Sequence, residues 1–461
     1  MSAIDAGDAP ALALPRRPEG QMGLRQFTRI IRENALAAHE PDDFSQDIIA
    51  QRLLWRRTFI INEPGAIRHV LLDNAQNYTK SEVGRRILEP GLGRGLLTSE
   101  GETWRRHRRI MAPAFDPRSV AGYAPVMTAM AEELLSKWDA LPERSELDVA
   151  AAMMHVTLHI ISRAMFSSDS DNIVDLVERG VGQYQTIVRP RLLDLLHIPE
   201  WITRIVSPQN IDGIFDEFDK SVDRLLTERG RAPDAEPKDL LARLLAARDS
   251  ETGGGMTPKE VRDQVVTIFM AGHETTAQAL SWTWYLLSQH PAVEAKLHDE
   301  LSAVLAGRTP RHDDIASLRY TRMVIEESMR LYPPAHTTAR QPIATDEVLG
   351  HRIPAGAEVL IVPWLLHRKP SLWERADRFE PERFAPERAA SRPRFAYIPF
   401  GAGPRICIGA AFAMEEAMLI LATIAQRYRL RLKPGHPVEP QGLITLRPRY
   451  GLQMILERRK A

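Results

Sequence analysis

The segment from Phe400 to Gly409 contains the only cysteine, Cys407, in 461 residues. A lone thiol excludes an intrachain disulfide. It also excludes a multi-cysteine zinc site or an iron–sulfur cluster, since those need several thiolates. Three alternatives remain: a buried inert thiol, a nucleophile, or a single thiolate ligand to a metal such as haem iron.

The residues around Cys407 favour the thiolate ligand. Pro404 and three glycines, at positions 401, 403 and 409, indicate a tight turn in which the backbone approaches another group closely. A helical pattern from Ala410 to about residue 427 places the cysteine just before a helix N-terminus, where the positive end of the dipole favours a thiolate. Arg405 adds a fixed positive charge two residues away.

A second chemical motif, residues 271–276 (Ala-Gly-His-Glu-Thr-Thr), lies in the middle of a helical pattern that runs over 258–289. Small side chains at Ala271 and Gly272 would let a ligand lie against the helix backbone. Thr275 places a hydroxyl next to the Glu274 carboxylate, and both groups can relay protons. A helical hydroxyl that bonds to the carbonyl four residues earlier can also open the helix and admit water. The alternative is an ordinary helix with a solvated glutamate.

The helix that carries this motif has a strong start signal. Thr257 and Glu260 form a predicted capping box around Pro258 at the first helical position. A helix of some 32 residues is on the order of 48 Å long, which is enough to cross the whole molecule.

Three further motifs are weaker when each is considered alone. Glu327 and Arg330 are three residues apart on one helical face, and Pro381-Glu382-Arg383-Phe384 lies in a proline-rich segment. Trp104 and Arg108 are four residues apart on a helix that we predict to begin with a capping box at Ser99 and Glu102. Their stacked donors would suit an anionic group. The arginines at 105, 106 and 109 point elsewhere, and a solvated basic face is the alternative interpretation of this run.

Two other patterns are interpreted as structural. His155 and His159 are four residues apart, but Val156 stands where a zinc protease needs glutamate, so we expect core or partly exposed histidines. The glycine-rich segment 91–95 follows no convincing strand and is predicted to be a flexible loop.

The composition excludes some functions. With 60 basic and 60 acidic residues the net charge is zero, so nucleic-acid binding is not expected. Residues 1–20 lack the apolar run of a signal peptide or membrane anchor and are predicted to be a flexible tail, with a single domain over 21–461. We therefore expect a cytoplasmic protein.

Hydrophobic periodicity predicts a mainly α protein with a small segregated β region, an α+β fold. The predicted helices are 64–73, 102–111, 124–138, 153–166, 211–228, 240–248, 258–289, 291–305 and 319–331. The predicted strands are 58–61, 347–353, 358–362, 428–432, 443–446 and 452–456.

Together, the five motifs resemble those of the haem-thiolate monooxygenases, the cytochrome P-450 superfamily, of the soluble bacterial type. The resemblance extends from about residue 50 to the C-terminus, and the cysteine loop is its most specific part. It implies the P-450 fold, with haem b (iron-protoporphyrin IX) between the long central helix and the helix of the cysteine loop.

The resemblance also implies a role for each matching residue. Cys407 would be the proximal iron ligand, with Glu274 and Thr275 as the catalytic pair that supplies protons during oxygen activation. Glu327, Arg330 and Arg383 would form a buried structural triad. The residues implied to contact the haem are Arg405, Trp104, Arg108, Arg340, Phe400, Gly401, Ala271, Gly272, Ile408 and Gly409.

The implied reaction is the insertion of one oxygen atom from O₂ into a C–H or C=C bond of an apolar small molecule, such as a fatty acid, terpene, steroid or polyketide. Apolar residues in the segments at 80–102, 183–218, 269–272, 335–339 and 442–446 would line the pocket. Electrons would come from a ferredoxin or flavodoxin with its reductase, and we expect an acidic donor to dock near Arg105, Arg106 and Arg109. The alternatives are a peroxide-driven peroxygenase and a non-catalytic haem-thiolate sensor.

Overall fold

The fold is seen in a computed structural model of the chain. The structure describes residues 12–18, 23–167, 216–231 and 239–459, with short pieces between them at 176, 179–180, 192–196, 198, 200–206 and 213. Most of the predicted pocket segment 183–218 and the first part of the predicted helix 211–228 therefore lie outside the described residues.

Helices make up most of the described chain, as the sequence predicts. In chain order they are α1 (Leu24–Glu33), α2 (Pro64–Arg68), α3 (Glu82–Leu92), α4 (Gly101–Met111), α5 (Pro117–Ala121), α6 (Ala124–Asp139), α7 (Val149–Phe166), α8 (Leu192–Leu195), α9 (Glu200–Val206), α10 (Asp216–Arg231), α11 (Leu240–Ala246), α12 (Pro258–Gln289), α13 (Pro291–Leu305), α14 (Arg319–Leu331), α15 (Pro363–Leu366), α16 (Pro386–Ala389) and α17 (Ala410–Arg427).

The strands are short and form small sheets beside the helical body. They are β1 (Ile48–Leu53), β2 (Arg56–Ile61), β3 (Tyr78–Lys80), β4 (Glu146–Asp148), β5 (Thr338–Pro342), β6 (Asp346–Val348), β7 (His351–Ile353), β8 (Glu358–Ile361), β9 (Tyr428–Leu432), β10 (Pro440–Gly442), β11 (Leu446–Pro448) and β12 (Gln453–Arg458). The main sheet has the order β1-β2-β8-β5-β3, with β2 and β8 parallel and the other pairs antiparallel. A second sheet has the order β4-β12-β9, and β6-β7 and β10-β11 are hairpins.

The long helix α12 has the predicted bounds and the predicted start. The Thr257 hydroxyl accepts a hydrogen bond from the Glu260 N–H, and the Glu260 carboxylate accepts one from the Thr257 N–H at 2.8 Å. Because 23 of its 32 residues are buried, the helix is a central axis against which α7, α14 and α17 pack.

Helix α7 is long and apolar enough to cross a membrane by length and composition. It packs against α12 and α6 and buries residues such as Met153, Ile160 and Phe166, so in this fold it is a core helix. Helix α17, which follows the cysteine loop, packs against α6, α12 and α14. The fold thus places the two chemical motifs on neighbouring helices.

Several local predictions are wrong, each for a physical reason. The N-cap of α4 is Glu100 and not the predicted Ser99, and the Glu100 side chain does not cap the helix. The Glu102 carboxylate does not complete a capping box, because it accepts hydrogen bonds from Arg105 and Arg109 of its own helix. The predicted strand 443–446 is mostly the turn between β10 and β11, and the predicted strand 347–353 falls largely in the β6-β7 hairpin. Apolar content alone did not distinguish a strand from the turn that packs against the core.

The glycine-rich segment 91–95 is also not a free loop. The Asp263 carboxylate on α12 accepts a hydrogen bond from the Arg94 N–H at 2.9 Å, and the Gln264 side chain accepts one from the Leu96 N–H at 2.8 Å. A Cβ at Gly95 would lie 2.0 Å from the Thr267 hydroxyl, so only glycine permits this approach. Gly93 and Gly95 are therefore required for close packing against α12.

Candidate active site

The cysteine loop is held in a fixed turn just before α17. The Cys407 N–H donates to the Phe400 carbonyl at 2.8 Å, which closes the loop. Gly403 has φ +70°, and a Cβ there would lie 1.8 Å from the Leu71 carbonyl oxygen. No larger residue fits at Gly403, because the loop passes too close to the backbone of the segment that follows α2.

The Cys407 side chain is exposed, although protein atoms surround it on most sides. Burial raises the pKa of the thiol, while the Gly409 N–H and the Arg108 guanidinium partly offset that increase. The two observations agree if Cys407 lies at the bottom of a cleft. A metal ion bound there would deprotonate the thiol directly.

The positive charge nearest the thiol is not the one the sequence indicated. Arg108 on α4 donates to the Ile406 carbonyl at 2.8 Å, beside Cys407. Arg405 turns away from the thiol and binds the Glu100 carboxylate through two contacts, at 2.5 and 2.6 Å. Arg108 therefore acts on the thiol and Arg405 does not.

The middle of α12 also opens on a cleft. Ala271 is exposed, although Met270 and His273 beside it are buried. An exposed residue in the centre of an otherwise buried helix faces an internal space. The Thr275 hydroxyl lies on the next turn and donates to the Ala271 carbonyl at 2.8 Å, which is the four-residue back-bond that the sequence predicted.

Gly272 does not face the same way as Ala271. A Cβ built at Gly272 would meet the Ile161 side chain of α7 at 3.5 Å, an ordinary van der Waals distance. A methyl group at Gly272 would therefore fit against α7, and of the two predicted small residues Ala271 is the exposed one.

Glu274 and Thr275 are adjacent in sequence but their side chains bind different partners. The Glu274 carboxylate is buried and accepts a hydrogen bond from the Thr445 hydroxyl, in the turn between β10 and β11, at 2.6 Å. The Thr275 hydroxyl is bound to its own helix. Sequence reasoning did not identify Thr445, because no sequence spacing relates that turn to α12.

A group of positive side chains lies at one end of this region, around Glu100. The Arg405 guanidinium lies over the Trp104 ring at 5.0 Å and pairs with Glu100. Arg340 donates to the Thr338 hydroxyl at 3.0 Å and to the Ala339 carbonyl at 2.9 Å. The pKa of Arg340 is lowered to about 10, chiefly by burial and also by Arg405, while Glu100 opposes the shift.

Lys80, which sequence reasoning missed, belongs to the same group. Its ammonium donates to the carbonyls of Leu96 and Ser99 at 2.9 and 2.7 Å. Burial lowers the pKa of Lys80 to about 7; Glu100 opposes this, and Arg405 and Arg340 add to it. The sequence indicates Lys80 only weakly, because no motif surrounds this lysine at the end of a short strand.

We call Lys80, Arg340, Arg405 and Glu100 the Glu100 cluster. Three basic side chains surround one carboxylate, so the cluster has a formal excess of two positive charges when Lys80 is protonated. Haem b carries two propionates, which would balance this excess. Together with an accessible thiol and an exposed alanine on the facing helix, the residues present fit a haem.

A second charged group is fully buried. Glu327 and Arg330 on α14 form a two-contact pair at 2.7 and 2.8 Å, and Arg383 reaches the same carboxylate at 3.3 Å. Arg330 also donates to the carbonyls of residues 367, 376 and 378. The structure thus brings the three predicted triad residues together and uses them to hold the irregular segment before the cysteine loop.

The run of arginines on α4 is largely engaged within the protein. Arg106 pairs with Glu260 on α12 at 2.7 Å, and Arg109 pairs with Asp249 at 2.7 Å. Arg105 contacts Glu102 at 3.2 Å but keeps 56% of its side chain exposed. Of the three arginines predicted for partner docking, Arg105 is the one that remains largely accessible.

The two histidines on α7 are as the sequence indicated. The rings of His155 and His159 lie 4.2 Å apart on a partly exposed face. Among the residues that the structure describes, no group of three or more metal-binding side chains occurs.

Comparisons with known proteins identify the class. The family model described as cytochrome P450 matches residues 37–454. The chain is similar to cyclooctatin synthase of Streptomyces melanosporofaciens, with 38% identity over 87% of this chain and 86% of the relative. It is 32% identical to pentalenene oxygenase of Streptomyces avermitilis, over 87% and 88% of the two chains. The solved structure of the cytochrome P450DA heme domain matches with a TM-score of 0.82 at 25% identity, over 98% of each chain.

The chain therefore belongs to the cytochrome P450 family. The fold, the haem cofactor and the class of enzyme, a P450 monooxygenase, are as the sequence predicts. Another relative, the cyclooctat-9-en-7-ol 5-monooxygenase of Streptomyces melanosporofaciens, is 37% identical over 84% of this chain and 83% of its own. P450 monooxygenases need redox partners and O₂ and act on small organic substrates, and these requirements apply to this chain.

Proposed function

We propose that this P450 hydroxylates a cyclic terpene and takes electrons from a separate ferredoxin or flavodoxin with its reductase, in the cytoplasm. The similarity to two terpene oxygenases, cyclooctat-9-en-7-ol 5-monooxygenase and pentalenene oxygenase, carries the substrate proposal. The names of these relatives give different substrates. We therefore propose the class of substrate and not a particular compound.

An apolar wall near Thr275 supports the same class. Thr445 is bound to Glu274, and the Leu443 carbonyl is a hydrogen-bond partner of His336 at 2.9 Å. These two bonds hold the turn between β10 and β11 against α12 and against the start of β5. Ile444, between the two bonded residues, is 39% exposed, and Ala335 next to His336 is exposed. A hydrocarbon surface suits such a wall better than a sugar would.

The residues of this chain would act as follows. Cys407 would bind the haem iron through its sulfur, and Arg405, Trp104, Arg108 and Arg340 would hold the propionate side. The bound haem supplies the chemistry that activates O₂. Thr275 would hold a proton at its Oγ1 near the reacting oxygen. Glu274 would act only through Thr445 and neighbouring groups, because its side chain does not pair with Thr275.

The test of substrate class is a binding screen followed by turnover. Cyclic terpene hydrocarbons and alcohols, fatty acids and steroids are added to the holoenzyme, and the change of the haem spectrum on binding is recorded. We expect a terpene to give the tightest change and a hydroxylated product with a ferredoxin system. Tighter binding and turnover of a fatty acid would contradict the proposal, and product with H₂O₂ alone would favour a peroxygenase.

The docking surface for the electron donor is proposed at the exposed side of the cysteine loop. Leu72 and Ile406 are 40% and 42% exposed, and Gly403 brings their segments together. With the exposed Arg105 they form an apolar patch beside a positive charge, which suits an acidic protein with an apolar centre.

The docking proposal is tested by charge reversal. Arg105→Glu should slow reduction by the donor several-fold and reduce its dependence on salt. Arg29→Glu is the control, because Arg29 on α1 is 76% exposed and also pairs with a glutamate of its own helix. Equal reduction rates in wild type and Arg105→Glu would show that the donor docks elsewhere.

A further inference from the structure

A buried histidine on α4 connects three separate parts of the chain. His107 is 1% exposed. Its Nε2 atom lies 3.2 Å from the Glu260 carboxylate, and its Nδ1 atom lies 3.0 Å from the side-chain nitrogen of Gln264, which is fully buried on α12. The side-chain oxygen of Gln264 accepts a hydrogen bond from the Leu96 N–H at 2.8 Å. The contacts therefore run from α4 through α12 to the segment 94–99.

The hydrogen atoms at one end of this chain follow from the backbone. A backbone N–H can only donate, so the atom of Gln264 that faces Leu96 is the amide oxygen, and the NH₂ group faces His107. The NH₂ group can also only donate. The Nδ1 atom of His107 must therefore accept, and it carries no proton.

The Glu260 carboxylate determines the other ring nitrogen. Burial raises the pKa of Glu260, but hydrogen bonds from Arg106, from the Thr257 N–H and from His107 outweigh burial and lower the pKa to about 2. Arg106 donates to this carboxylate at 2.7 Å, and the Thr257 N–H donates to it at 2.8 Å. An ionised carboxylate only accepts, so the Nε2 atom of His107 carries the proton and donates. His107 is therefore a neutral imidazole with its proton on Nε2.

Leu96 connects this chain to the Glu100 cluster. Its carbonyl accepts a hydrogen bond from the Lys80 ammonium at 2.9 Å, and the Ser99 carbonyl accepts another at 2.7 Å. The Lys80 N–H donates to the Glu100 carboxylate at 2.6 Å. Because Gln264 holds the N–H of Leu96 and Lys80 binds its carbonyl, the place of the ammonium depends on the hydrogen bonds of Gln264.

We propose that His107 is a positioning residue: as the neutral Nε2–H form it orients the side-chain amide of Gln264. The amide then holds the segment 94–99 against α12 and so fixes the place of the Lys80 ammonium. With a proton on Nδ1, the ring would meet the NH₂ group donor to donor, and the amide would have to turn its oxygen away from Leu96. The consequence for haem binding rests on the role proposed for Lys80, and the hydrogen-bond chain does not.

The first test replaces the amide by an apolar side chain of similar size. In the holoenzyme, Gln264→Leu leaves the Leu96 N–H without its acceptor, so hydrogen exchange of the amides at 94–96 should accelerate several-fold. Gln278→Leu is the matched control, the same substitution on the same helix at a glutamine that is 3% exposed, and it should leave this exchange at the wild-type rate. Equal rates in the two variants would show that packing alone holds the segment, and would overturn the proposal.

The second test locates the ring proton. Nitrogen NMR of the reduced, carbon monoxide-bound holoenzyme, labelled at its histidines, should show an unprotonated Nδ1 and a protonated Nε2 at pH 7. The signals of His107 are assigned by their loss in His107→Gln. A protonated Nδ1 in the wild type would overturn the proposal.

The variant Gln264→Glu reverses the requirement at Nδ1. One oxygen of the new carboxylate still accepts from the Leu96 N–H, and the other needs a donor. The Nδ1 atom of His107 should therefore gain a proton, while exchange at 94–96 stays slow. An unprotonated Nδ1 in this variant would overturn the proposal, and this result decides if Gln264→Leu does not fold.

The third test measures the effect on haem. Transfer of haem to a scavenger protein should be several-fold faster from Gln264→Leu than from Gln278→Leu, because the Lys80 ammonium loses its fixed place. Faster exchange with an unchanged rate of haem transfer would overturn the connection to Lys80. Because exchange and NMR spectra are measured without substrate or turnover, their failure is distinct from failure of the proposed function.

Discussion

Two charged groups near the cysteine loop differ in their balance of charge. In the triad, Glu327 faces two guanidinium groups, Arg383 also pairs with the Glu380 carboxylate at 3.2 Å, and carbonyl oxygens accept further hydrogen bonds from Arg330. In the Glu100 cluster, one carboxylate faces Lys80, Arg340 and Arg405, and burial lowers the pKa values of the first two. The charges of the triad are balanced within the protein. The charges of the Glu100 cluster are balanced only when a negatively charged group binds.

The difference separates structure from cofactor binding. A buried group whose charges and hydrogen bonds are satisfied holds the chain in place, and removing one member leaves an unpaired charge. A group with excess positive charge is costly in the protein alone and becomes favourable when an anion binds. We therefore assign the first to folding and propose the second for the haem propionates.

The largest expected effect is in the triad. Glu327→Gln leaves the buried Arg330 guanidinium without a carboxylate, while Arg383 keeps Glu380, and should lower the free energy of unfolding by about 3–5 kcal/mol. Denaturant unfolding of the holoprotein measures this loss. Glu382→Gln is the control, because its partner Lys296 is 60% exposed, and it should cost no more than about 1 kcal/mol. Similar losses in the two variants would contradict the comparison.

A smaller effect is expected for the Glu100 cluster, and it concerns the rate of haem loss instead of the free energy of unfolding. Arg340→Gln removes one of the excess positive charges and should speed haem loss to a scavenger protein by about tenfold, equivalent to ~1.4 kcal/mol of binding. The protein should remain folded, as judged by its far-ultraviolet circular dichroism. Arg144→Gln, a control at a 63% exposed arginine, should not change the rate. If Arg340→Gln lowered the stability of the folded protein without a change in the rate of haem release, Arg340 would be structural.

The smallest effect concerns pH. Without haem, the pKa of Lys80 is about 7, and negative propionates would raise it, so haem binding takes up a proton on Lys80. The affinity for haem should therefore fall as the pH rises above about 7. Haem release from the holoprotein should be faster at high pH in the wild type, with a smaller change in Lys80→Met. The same pH dependence in both proteins would show that Lys80 does not belong to the haem site.

The sequence predicted those parts of the molecule in which the chemistry is local. The start of α12 follows from its capping box, and the resemblance to the P450 family implies the triad of Glu327, Arg330 and Arg383. The family and the class of reaction follow from the cysteine loop and four other motifs that agree.

Other features depend on contacts between segments far apart in the chain. Nothing in the sequence pairs Glu274 with Thr445 or Arg405 with Glu100, and a capping pattern at Ser99 was misleading because Glu102 had arginines within reach.

The most direct test of the proposed haem site is the absorption spectrum of the reduced protein with carbon monoxide. We expect the Soret band at the long-wavelength position of thiolate-ligated haem, and we expect Cys407→His to move it to the position of haem with a neutral ligand. A wild-type band at the neutral-ligand position, in protein that has kept its haem, would contradict the assignment of Cys407 as the iron ligand.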